Sequence, residues 1–425
     1  MRLRTLLRTN AGAWLAVPMV LLAVLTSATF RPASSDGYGI ALIAAGTSAL
    51  AFVAPLCAAA GAWEGGRLRR AEWWAGPHAR SRVTIAAWAV GPAIVAGSLA
   101  VGAAVLAKMI GAGVWAVDVR LLALSVLVLT AHALAGFSLG LWVPLTIAAP
   151  TALISSYLWL AFPRALNPLW VRHLNGSLDS CCQLHQDLAP AAFWAAAAMA
   201  LGMIAAAAWA LMRAHWSRRA LAGTAAPVVL GVTLGSVLVA GMGSDPVVAR
   251  DPSLLVCSRG TAPTVCVWPE HRGRLDEVVL IARRASEGWR GVGLAVPGTF
   301  SEIDPVAAPP GVGSFGFSLE ADADDIRNAL SYAMLPPFPA CTETEPFRGN
   351  EARDYVLAWF DATGGMSDEG LTERFADSSR PGAPPTLDTV RDVRAQPPTT
   401  QREWVERNVA ALGVCDLEPQ LLPDA

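Results

Sequence analysis

The 425 residues contain one lysine, Lys108, and Met109 follows it. A phosphate-binding loop of the form G-x-x-x-x-G-K-[ST] needs a lysine followed by a hydroxyl residue, so the chain carries no such ATPase site of its own. Charge is scarce as well. Only 16% of residues are Asp, Glu, Lys or Arg, against roughly 25% in an ordinary soluble domain. With 54% hydrophobic residues and a mean hydropathy of +0.42, that scarcity excludes a wholly soluble globular protein. Hydrolase signatures are missing: the chain holds no G-x-S-x-G and no H-E-x-x-H, and His271 is the sole histidine after residue 242. No period of 20 to 50 residues recurs, which excludes a repeat array.

What is present is unevenly divided. Residues 1–242 hold seven apolar stretches and carry 15 Arg plus Lys108 against 6 acids; residues 243–425 carry 16 Arg against 28 acids. The expected fold is therefore a membrane all-α, seven-span helical bundle over 1–242, followed by a soluble α+β extracytoplasmic domain over 243–425. A span needs about 20 apolar residues, and candidates lie near 12–30, 39–63, 83–107, 121–141, 144–163, 190–212 and 221–242. The fourth and fifth are separated only by Gly140, Leu141 and Trp142. Arg2, Arg4 and Arg8 precede the first stretch, which reads as an uncleaved span rather than a secretory signal because six more follow. The single lysine, beside abundant Ala, Gly and Arg, points to a high-GC bacterial source and hence to a bacterial cell membrane.

Orientation follows from the tendency of Arg and Lys in short loops to stay cytoplasmic. With the N-terminus inside, eleven basic residues fall on the cytoplasmic side (Arg2, Arg4, Arg8, Arg67, Arg69, Arg70, Arg80, Arg82, Arg213, Arg218 and Arg219) and five on the other (Arg31, Lys108, Arg120, Arg164 and Arg172). Seven crossings then carry the C-terminal domain out of the cytoplasm. Cysteine placement agrees: Cys57 lies within a span, while Cys181, Cys182, Cys257, Cys266, Cys341 and Cys415 fall on the oxidising side. Six cysteines allow fifteen connectivities. The favoured pairs are Cys257 with Cys266, closing a hairpin around Gly260 to Pro263, and Cys341 with Cys415, tying two helices together. In the tail, strands are expected at 254–256 and 264–268, and helices at 274–289, 322–334, 350–360 and 386–412. Leu275, Val278, Val279, Ala282 and Ala285 fall on one face of the first of these helices.

The loop after the second span runs Glu64-Gly65-Gly66-Arg67-Leu68-Arg69-Arg70 through Pro77 to Ser81-Arg82. It resembles the coupling segment of ABC-transporter permeases of the type-2 exporter class, in which an acid and a glycine open a short helix that ends near a proline and a basic residue. Glu64, Gly65 or Gly66, Pro77, Ser81 and Arg82 fill those places, and Arg67, Arg69 and Arg70 supply charge between them. The resemblance covers residues 1–220. It implies that this loop docks on a separate ABC ATPase subunit and that the N-terminal segment lies along the membrane surface. The family core has six spans with both ends inside, so a seventh span and an outer domain are additions to it. The plainer reading of the same residues is a basic loop obeying the charge bias.

Other residues carry rival readings. His132 is the ionisable residue well inside a span, and a neutral imidazole hydrogen-bonded to a neighbouring helix is weighed against a relay. His173, Cys181, Cys182 and His185 offer metal-ligand types within thirteen residues, against disulfide or plain loop use. Gly136 with Gly140, and Gly231 with Gly235, form G-x-x-x-G pairs suited to close helix packing, with a homodimer as the rival use. Glu270 and His271, with Ser301 and Glu302 nearby, suggest an acid/base pair, against a helix start that needs no chemistry. The function expected is an ABC exporter's permease-like subunit in contact with the bilayer, without catalytic residues, cofactor, metal or nucleic acid. The alternative is a membrane-anchored extracytoplasmic sensor or interaction protein.

Overall fold

The computed structural model describes residues 9–30, 37–72, 81–115, 117–212, 218–260, 262–341, 347, 349–376 and 384–422. The chain divides into two compact units, Met1–Arg250 and Asp251–Ala425.

The first unit is helical: α1 (Ala11–Thr29), α2 (Gly39–Thr47), α3 (Leu50–Arg70), α4 (Arg82–Ala112), α5 (Val119–Trp142), α6 (Leu145–Ala161), α7 (Pro190–Leu211) and α8 (Arg218–Val239). Among the described residues six helices are long and apolar enough to cross a membrane, and α2 with α3, bent by 45°, pass the same test as a pair. Side chains cap several starts: Asn10 accepts from the Gly12 amide, Ser81 from Thr84, and Asp118 from Arg120 and Leu121. Gly113, at φ 66°, ends α4 in the left-handed conformation that glycine adopts without strain. The break between α5 and α6 comes at Val143 and Pro144. A proline holds the preceding Val143 in extended backbone, and the helix stops there.

Small residues let these helices meet backbone to backbone. A Cβ built on Gly136 would lie 2.0 Å from the Ala58 carbonyl oxygen, one on Gly140 2.1 Å from that of Ala62, and one on Gly61 2.2 Å from that of Ala133. The Gly136/Gly140 pair thus seats α5 on α3 within the chain. Gly231 and Gly235 likewise face Ala198 and Ala195 of α7, so the second pair seats α8. Between α6 and α7 the chain forms two short 3-10 turns and β1 (Gln186–Leu188). This strand pairs antiparallel with β2 (Val247–Ala249), which lies just after α8.

The second unit joins a four-stranded sheet to six helices among the described residues. The order is β3 (Val256–Cys257), β4 (Thr264–Val267), β5 (Thr299–Ser301), β6 (Val312–Ser314). The first pair is antiparallel and the other two are parallel. The β4–β5 connection needs a crossover, and α9 (Leu275–Gly291) supplies it. Val278, Ala282, Ala285 and Trp289 of α9 bury one face, at the three-to-four-residue spacing of an amphipathic helix. The remaining helices are α10 (Ala323–Tyr332), α11 (Arg353–Thr363), α12 (Asp368–Phe375), α13 (Thr386–Arg394) and α14 (Pro398–Gly413). Trp289, Phe300, Trp359 and Phe360 centre the core, and the Trp289 indole donates to the Phe360 carbonyl at 2.9 Å. The single helix expected over 386–412 is two, because Pro397 and Pro398 interrupt it.

Candidate functional site

The basic segment read as a coupling loop begins as the end of α3, which continues as helix through Arg70. Glu64 is buried there. Its Oε1 accepts the Ala11 amide at 2.8 Å, and its Oε2 lies 3.1 Å from Arg67 Nη1, which also donates to the Thr9 carbonyl. Asn10 adds a bond from its side-chain amide to the Ala89 carbonyl of α4 at 2.8 Å. Arg69 donates to the Trp142 carbonyl at the end of α5, and Arg82 to the Met212 carbonyl just beyond α7, both at 3.1 Å. One end of the bundle therefore gathers the start of α1, the end of α3, the start of α4 and the ends of α5 and α7. Of the three arginines in the last turn of α3, Arg70 is the exposed one. Pro77 and the rest of 73–80 lie outside the described residues, as do Arg2, Arg4 and Arg8.

His132 is buried on α5, and its Nδ1 lies 2.7 Å from the Ser156 hydroxyl of α6. The two line a cavity of about 490 Å³ bounded by α3, α5, α6, α7 and α8. Its wall is otherwise almost wholly apolar, with Trp142, Trp159, Met199 and Met203 as its large members and alanines making the room. Cys57, also buried, reaches the Ala93 carbonyl at 3.3 Å.

In the loop before α7, His173 is buried and its Nε2 is 2.9 Å from the Gly243 carbonyl. Cys181 and Cys182 are buried and joined to each other. Among the described residues no group of three or more His, Cys, Asp or Glu is arranged to hold a metal ion, so His173, Cys181, Cys182 and His185 do not converge. Cys257 is bonded to Cys266 across the β3–β4 register. Cys341 is bonded to Cys415. This second bond ties the loop after α10 to the segment after α14, rather than helix to helix.

His271 is fully buried, and Glu302 holds it: Nδ1 to Oε1 is 2.6 Å. The other carboxylate oxygen accepts the Trp268 amide at 2.8 Å, and the Trp268 indole donates to the Glu302 carbonyl. The Phe317 ring lies tilted beside the imidazole, centroids 4.3 Å apart. This buried pair joins the turn before α9 to the residue after β5.

Asp361 carried no sequence signal. It is a lone acid in the apolar run Val356 to Ala362, fully buried on α11. Burial pushes its carboxyl up to about 6, opposed by the hydrogen bond from Asn328, the nearby Ser331 hydroxyl and the charges of Arg374 and Arg327. The Asn328 amide donates to it at 2.6 Å.

Comparison with known proteins adds one finding: a family model described as a domain of unknown function (DUF7224) matches residues 265–415, within the second unit. No curated protein and no solved structure matches the chain.

Proposed function

We propose that the chain is the permease-like subunit of an exporter driven by a separate ABC ATPase. In this reading α2 and α3 act as one broken span, the bundle crosses the bilayer seven times, the arginine-rich end faces the cytoplasm and residues 251–425 lie outside. Exposed apolar side chains support membrane contact, among them Trp14, Leu25, Trp88, Leu99, Ile147 and Val237. The disulfides of the second unit support its oxidising location.

The observation that carries the coupling reading is the Glu64 knot. By binding the first amide of α1 and the arginine that grips Thr9, Glu64 makes the start of α1 and the end of α3 one mechanical piece. The glycine seat then joins α3 to α5. A push delivered to the segment after Arg70 is carried into three spans at once, as a rigid-body device requires. ATP hydrolysis in the partner would supply the push, and the spans would rearrange to pass cargo outward.

Copurification tests it. A tagged chain solubilised in mild detergent from its own host is expected to bring along a nucleotide-binding ATPase, and Arg70→Glu is expected to release it. Arg70 is the substitution of choice because Arg67 and Arg69 also hold backbone carbonyls. A second reading, a membrane-anchored sensor or interaction protein, is favoured by the separate core and disulfides of residues 251–425. It expects no ATPase in either sample and tolerance to rewriting of the 64–82 loop wherever Glu64, Arg67 and Arg69, which hold the bundle together, are kept.

A further inference from the structure

We propose that the cavity around His132 and Ser156 is a binding site for a neutral, apolar, hydroxyl-bearing molecule taken from the bilayer, its hydroxyl meeting the free ring nitrogen of His132. The inference needs only the helical bundle and stands whether or not an ATPase couples to it.

Size, wall chemistry and a polar anchor point the same way. About 490 Å³ falls within the roughly 300 to 1,000 Å³ of small-molecule pockets, which are mostly apolar with a few placed polar groups. Along α5 the cavity runs from His132 to Trp142, ten residues or about 15 Å at 1.5 Å each, so it suits an elongated body. Alanines 58, 135, 152, 206, 207 and 210 hold the wall back from the space. The first turns of α8, through Leu221, Thr224 and Val228, close a side that α5, α6 and α7 leave open.

Three buried polar residues, His132, Ser138 and Ser156, line this apolar space. His132 uses Nδ1 on Ser156 and makes no other hydrogen bond among the described residues, which leaves Nε2. Ser138, 8% exposed, has a hydroxyl with no partner among the described residues. Buried polar atoms without partners cost about 1 to 3 kcal/mol each, and in hydrocarbon such groups mark function. The chemistry of Nε2 selects a hydroxyl. If the Ser156 hydroxyl donates to Nδ1, Nε2 carries the proton and donates; in the other tautomer Nε2 accepts. A ligand hydroxyl satisfies both cases and a bare hydrocarbon neither. Among the described residues no lysine, arginine or carboxylate lines the cavity, so these walls would leave a charged group uncompensated, at high cost.

Photolabelling of the full-length protein in lipid nanodiscs tests this with two probes, a diazirine-bearing hexadecanol and the same diazirine-bearing hexadecane without the hydroxyl. The alcohol is expected to label α7 around Met199 and Met203, and the alkane to label it about tenfold less, the value of one buried hydrogen bond. His132→Phe is expected to bring the alcohol down to the level of the alkane. Ala135→Leu, which fills the space from α5, is expected to reduce both, with elution on gel filtration as the check on folding. Label confined to outward residues such as Trp88, Leu99 and Ile147, or equal labelling of the wild-type cavity by both probes, overturns the proposal. Should either variant misfold, the two-probe comparison on the wild-type chain decides alone.

Discussion

Glu64 shows how a charged residue becomes structural at the end of an apolar bundle. The first amides of a helix have no intrahelical partner, and Glu64 supplies one to Ala11 from a different helix while balancing Arg67. Glu64→Ala is expected to lower stability by about 1 to 3 kcal/mol, the cost of an orphaned buried donor. Glu64→Gln should cost less because it keeps an acceptor for Ala11. Thermal unfolding midpoints in detergent give the order. Asp361 offers a second test, with its sign fixed by its pKa. Its folded value of about 6 lies above its ordinary 3.8, so between those values the folded chain holds a proton that the unfolded chain has lost. Stability therefore falls as pH rises from about 4 to about 6 and is level above, by at most roughly 3 kcal/mol at 1.36 per unit. Asp361→Asn is expected to abolish that slope and to be the more stable protein at pH 7. Protection of α10 and α11 amides, corrected for intrinsic exchange rates, measures it; an unchanged slope in the variant would contradict the assignment.

At the scale of elements, close approach between helices sets the tolerances. A methyl group at Gly136 has no space short of moving α3, since the contact is to backbone oxygen and not to a flexible side chain. Gly136→Ala is expected to cost about 1 to 3 kcal/mol by overpacking, whereas Gly102→Ala, with nothing within 4 Å of its Cβ position, should be neutral or stabilising. Unfolding titrations of the two variants in mixed micelles separate these outcomes. The same scale explains what the sequence disclosed. Six span-length apolar helices and a bent apolar pair were legible as apolar stretches because hydropathy sums over some twenty residues and tolerates internal prolines such as Pro55 and Pro92. The bend at Ser48 and Ala49 was not, because no breaker residue marks it. In the tail, the α9 face was readable from its period. The three-residue strands β5 and β6 were not, because a strand that short shows too few alternations. Helix α12, eight residues long, is as brief a signal.

For the whole molecule, site chemistry was less legible than fold because it depends on partners distant in sequence. Glu302 is 31 residues from His271 and Ser156 is 24 from His132; neither spacing carries a local pattern. His271 and Glu302, suited to chemistry by type, are buried against each other in the core, whereas the cavity wall is written largely in alanine, which composition cannot distinguish from ordinary packing. The proposed exporter would place the arginine-bearing end of the bundle in the cytoplasm, facing an ATPase, and the disulfide-bonded unit outside. Single cysteines at Arg70 and at Val306, the latter 96% exposed, test this directly, since Cys57 is buried and the other native cysteines are bonded. A membrane-impermeant maleimide applied to intact cells is expected to label Val306→Cys at once and Arg70→Cys only after permeabilisation. Labelling of Arg70→Cys in intact cells would put the arginine cluster out of reach of any cytoplasmic ATPase and contradict the account.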